Sequence, residues 1–140
     1  MTSSPRGAAG GATSTVSHGA PGSATTTPSH AEWLRSRLPE APAALAMRIG
    51  ELLAAHGEWN ALPRAEAFIA ASEELLRRVL RGNAMARACA VDLLAADACV
   101  TYAFEAAADE QPHLIGERAA WAMGRIATLA SEFGAPSSRA

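Results

Sequence analysis

The chain has 140 residues, a net charge of −2 and room for one domain. Every basic residue is Arg, alanine is very abundant and aromatic residues are scarce. This near-balanced charge excludes the basic face that nucleic-acid binding needs, so no nucleic-acid partner is expected.

Residues 1–28 are Ser, Thr, Gly, Ala and Pro with Arg6 as the one charge, and almost no large apolar side chain. Such a stretch buries too little surface to offset its ordering entropy, and the sequence predicts a disordered low-complexity tail. It has no apolar core of the secretory kind and no twin Arg, so a cytoplasmic protein is expected, with Cys89 and Cys99 as reduced thiols. Ser29-His30-Ala31-Glu32 reads as a capping box opening a short helix through Trp33, Leu34 and Leu38, stopped by Pro39. Trp33 is placed to fold down as a lid. Pro42 suits a first helical turn, and Leu45, Ile49, Leu52 and Leu53 give the next helix an apolar stripe that ends near Gly57. His56 sits in its last turn, where a charged imidazole favours the helix dipole. Residues 58–62 read as a loop.

Pro63 starts a third helix with Ala65, Phe68, Ile69, Ser72, Leu75, Leu76, Val79 and Leu80 facing inward. Glu73–Arg77 and Glu74–Arg78 are i,i+4 pairs in the favourable order, each adding about 0.2–0.5 kcal/mol. Arg77, Arg78 and Arg81 crowd its C-terminal end. They form either a solvated face that compensates the dipole or a patch for an anion or an acidic partner.

The run from Asn83 to Glu110 is the longest helical stretch. Ala86, Cys89, Leu93, Ala96, Val100 and Ala103 share one face, and Val91, Leu94, Ala98 and Tyr102 a second, as in the middle of a bundle. Arg87, Asp92, Asp97 and Glu105 exclude a membrane span, at roughly 2.5–3.5 kcal/mol each at a bilayer centre. Asp92 and Asp97 diverge by about 140°, so each is read as a boundary acid paired with an Arg of another helix or as a carboxylate in its own pocket. Cys89 and Cys99 would lie about 15 Å apart on one helix and cannot bridge.

Pro112 opens the final helix, whose residues Ile115, Ala119, Ala122, Ile126, Leu129 and Phe133 form a seam for an antiparallel partner, most simply the preceding helix. Gly116, Ala120 and Gly124, with Trp121 beside them, form a small-residue strip suited to tight internal packing or to a homodimer face. Residues 136–140 are expected to fray.

Leu93-Leu94-Ala95-Ala96-Asp97-Ala98-Cys99-Val100-Thr101-Tyr102-Ala103-Phe104-Glu105 resembles a helix of the all-α trans-isoprenyl diphosphate synthases. Arg77-Arg78 and the turn Glu132-Phe133-Gly134-Ala135 also stand where that family has an arginine pair and a small-residue turn. The likeness centres on residues 77–105 and implies an all-α fold with a pocket between helices, in which Asp97, Tyr102 and Glu105 would be the residues to test. The family's aspartate-rich magnesium motifs are missing: the chain has three Asp in all, and Ala70-Ala71-Ser72-Glu73-Glu74 stands where the first motif would be. The resemblance therefore does not carry the activity over.

No Glu-x-x-His pair sits on one helix, since Pro112 breaks Glu110–His113, and no Cys/His cluster, phosphate loop or nucleophile elbow occurs. No metal, cofactor or catalytic residue is expected. The sequence predicts an all-α protein: an antiparallel four-helix bundle over residues 29–135 with a short extra N-terminal helix. Its expected function is non-catalytic, by self-association or partner binding. The alternative is a binder of an apolar or prenyl-like small molecule in an inter-helix pocket.

Overall fold

A computed structural model describes residues 26–37, 42–82 and 85–134. The tail up to residue 25, the stop at Pro39, the cap at Asn83 and the end from residue 135 lie outside the described residues. The Ser29 capping box forms as the spacing predicts. The Ser29 backbone N–H and hydroxyl both donate to Glu32 Oε2 at 2.8 Å, and the Glu32 N–H donates back to Ser29 Oγ at 3.2 Å. It opens α1 (His30–Arg37), followed by α2 (Ala43–Ala55), α3 (Arg64–Arg81), α4 (Arg87–Glu110) and α5 (Ile115–Gly134). All regular structure among the described residues is helical.

Residues 57–61, read as a loop, form a 3-10 turn, and another at 112–114 leads into α5. Asn60 supports the first by donating its side-chain amide to the Gly57 carbonyl. His56 stacks on Trp59 at 4.1 Å between ring centroids. Gly82 follows α3 in extended backbone, where a Cβ would lie 2.9 Å from the Arg78 carbonyl oxygen and glycine is therefore favoured.

The best-enclosed helix is α3 and not the 83–110 run. Ala67, Phe68, Ala71, Ser72 and Leu75 of α3 have no exposed surface. Its main neighbour, α4, starts at Arg87, not in the turn after Gly82. The buried residues of α4 are Cys89, Asp92, Ala95, Ala96, Cys99, Ala103, Ala106 and Ala107, most of them alanine. Such small side chains let the α3 backbone come close, since interaxial distance follows the side chains at the contact. Leu93 and Leu94 are 52% and 63% exposed, so the two-sided burial expected of this helix is absent.

Contacts at both ends set the helix directions. Arg64 at the start of α3 pairs with Glu110 at the end of α4. Cys89 Sγ near the start of α4 meets the Val79 carbonyl near the end of α3 at 3.7 Å. These two helices are therefore antiparallel. Glu66–Arg118 and Glu73–Arg125 advance together, so α5 runs parallel to α3. The α5 seam is buried at Ala122 and Leu129 and lies against both α3 and α4, but Phe133 at its end is 37% exposed.

Trp33 closes one side as a lid, 9% exposed, 5.5 Å from Phe68 and edge-on to Tyr102 at 6.5 Å. The Arg37 and Arg64 guanidinium groups lie 4.8 and 5.2 Å from its ring centroid. No helix among the described residues is long and apolar enough to cross a membrane.

Candidate functional site

A groove of about 390 Å³ lies where α3, α4 and α5 meet. Ser72 and Leu76 of α3 line it, with Leu93, Leu94, Ala96, Asp97 and Val100 of α4 and Ile126 of α5. Its volume is within the range of small-molecule sites. The lining follows from helical spacing: Leu93, Asp97 and Val100 share a strip on α4, and Ser72 and Leu76 are one turn apart on α3. Towards the other end, Ala103, Phe104, Trp121 and Ala122 bring the helices together and leave about 10 Å³.

Two polar groups line this apolar space. Ser72 is fully buried, and its Oγ has no hydrogen-bond partner among the described residues. A buried hydroxyl without a partner is costly, and native proteins retain few of them. Asp97 is exposed at the rim. Its backbone carbonyl accepts from Thr101 Oγ1 at 3.3 Å, but among the described residues no cation pairs with its carboxylate. Among the described residues no basic side chain lines the groove.

The acids nearby are neutralised. Arg48 of α2 grips Asp92, which is thus the boundary acid paired with an Arg of another helix. Arg125 holds the buried Glu73 carboxylate with two hydrogen bonds, the second at 2.6 Å. Hydrogen bonding to these carboxylates pushes the Arg48 and Arg125 guanidinium groups further up, against the effect of burial.

The structure separates Asp97, Tyr102 and Glu105. Tyr102 points away from the groove into the aromatic group with Trp33 and Phe68. Its hydroxyl is pushed up by burial first, then by Glu105 and Cys99. Glu105 pairs with Arg37 at 3.8 Å. Arg77, Arg78 and Arg81 do not converge on one point. Arg77 lies 3.9 Å from Glu73, Arg78 donates to Glu74 at 3.1 Å, and Arg81 lies over the Phe133 ring at 5.8 Å. Both predicted i,i+4 pairs are thus present.

On the outer side of α5, Gly116, Ala120 and Gly124 are exposed, with open space around both glycines. Trp121 is 37% exposed beneath Arg125, and Met123 is 73% exposed. Cys89 and Cys99 are both free and buried, and burial pushes the Cys99 thiol up to about 12. Among the described residues no three His, Cys, Asp or Glu side chains are grouped to hold a metal ion.

Sequence reasoning placed Ser72 on the inward face of its helix but gave it no role. Its lack of a partner depends on what α4 and α5 present to it, which helical spacing does not encode. No protein-family model matches the chain, and no curated protein or solved structure is similar to it.

Proposed function

We propose that this protein is a non-catalytic binding protein that takes up an apolar small molecule in the groove between α3, α4 and α5. The helices α2 to α5 act as an antiparallel four-helix bundle with α1 laid across it, and the end at which α5 stands off from α4 is the binding end. One observation carries the reading: an apolar groove of about 390 Å³ between three helices is flanked by the exposed Leu93 and Leu94. Adjacent exposed leucines beside an apolar concavity mark a candidate ligand groove. Of the residues that the isoprenoid-synthase likeness singles out, Asp97 lines this groove. The lining has no cation for a diphosphate, so the likeness favours a prenyl-like apolar body without that head group.

Decanol is a suitable neutral probe. It should raise the melting temperature of the full chain by several degrees when present well above its dissociation constant. Leu94→Glu, which places a charge on an exposed position of the groove, should abolish the shift. An unchanged melting temperature up to the solubility limit of decanol would refute the proposal.

A second reading, self-association, is favoured by the bare α5 strip with Met123 and Trp121 at its side. Light scattering after size exclusion should then give a discrete dimer. Gly124→Leu, whose Cβ would meet nothing within 4 Å in the protomer, should return it to a monomer. A monomer at all concentrations would remove this reading and leave the first intact.

A further inference from the structure

The electrostatics of the groove select among apolar ligands, and this inference rests on the binding role proposed above. Asp97 is the one charged side chain in the lining, and its carboxylate has no cationic partner among the described residues. In contrast, the acids that face neighbouring helices all have an Arg: Glu66 with Arg118, Glu73 with Arg125, Asp92 with Arg48, and Glu110 with Arg64. The carboxylate therefore keeps its field for whatever enters. It lies beside an apolar wall of Leu93, Leu94 and Val100, so a ligand seated there displaces water from one side of it. An anionic head group would meet like charge here with no Arg to offset it.

We infer that the natural ligand is a cationic amphiphile: an aliphatic or ring body that fills the groove, carrying an ammonium group that pairs with Asp97 at the rim. The body lies against Leu76, Leu93, Val100 and Ile126. The apolar body supplies most of the affinity, and Asp97 supplies the preference for positive charge, because an exposed ion pair adds little by itself.

The test compares decylammonium, decanol and decanoate by isothermal titration into the full chain and into Asp97→Asn, with each probe below its micelle-forming concentration. Asp97 is exposed, so its replacement leaves the fold intact. Attraction on one side and repulsion on the other should make decylammonium bind about tenfold tighter than decanoate, with decanol between them. Asp97→Asn should bring the three to similar affinities. Equal binding of all three by the unmodified chain would overturn this inference and leave the binding role standing. So would a charge preference that survives Asp97→Asn. Failure of all three probes to bind would overturn both.

Discussion

Arg48 of α2 and Asp92 of α4 form a bidentate pair, Nε donating to Oδ1 at 2.5 Å and a terminal nitrogen to Oδ2 at 3.0 Å. The Asp92 side chain is 7% exposed and Arg48 31%. Arg48→Ala would leave a buried carboxylate without its cation. Full burial of such a break costs about 3–5 kcal/mol, and the exposure of Arg48 reduces this to about 2 kcal/mol. Replacing both residues, as Arg48→Met with Asp92→Leu, should restore most of the loss. Urea denaturation of the three variants checks this.

The two rungs between α3 and α5 should differ in strength. Arg118 pairs with Glu66, whose side chain is 28% exposed, whereas Arg125 pairs with Glu73 at 3%. Losing Arg125 leaves the more desolvated acid, with only Arg77 at 3.9 Å to compensate. Arg125→Ala should therefore destabilise the protein by about 1 kcal/mol more than Arg118→Ala, as read from the denaturation midpoints.

Ser72→Ala separates stability from binding. Removing a buried hydroxyl that lacks a partner should make the ligand-free protein more stable by about 1 kcal/mol. The same change should leave decanol binding unaltered, because the hydroxyl has no surface open to the groove. Loss of stability on Ser72→Ala would mean that the hydroxyl is already satisfied in solution.

Alkaline pH should unfold the protein through Cys99 and Tyr102. Burial lifts the Cys99 thiol from an ordinary value of 9.0 to about 12, so the folded state holds this proton more tightly than the unfolded chain does. The resulting stability is fully present below pH 9 and is lost as pH rises towards 12. Tyr102, raised from 10.0, acts in the same direction at the upper end of this range. Melting temperature against pH should fall above pH 9, and Cys99→Ala should fall less steeply.

Much of the fold was legible in local chemistry. The Ser29 capping box, Pro63 before α3, the inward Phe68 stripe apart from Leu80, which is 48% exposed, and the two Glu–Arg pairs all act within a few residues, where side-chain spacing determines geometry. The enclosure of α4 was not legible. Its two apolar faces predicted burial on both sides, yet burial depends on whether α5 covers Leu93 and Leu94, which is a matter of interhelical distance. The alanines that draw α3 onto α4 leave only one face of α4 fully covered. Asp97 was recognisable as a polar residue on an apolar helix, whereas Tyr102 and Glu105 were grouped with it by resemblance. An aromatic cluster and an ion pair with Arg37 occupy those two side chains instead.

The most direct test of the groove as a binding site is a methyl-labelled NMR titration of the full chain with decanol. The account predicts saturable shifts at Leu76, Leu93, Leu94, Val100 and Ile126, with Leu52, Leu53 and Ile49 on the opposite side unmoved. Absence of saturable shifts, or shifts centred on the α1–α2 side, would contradict it.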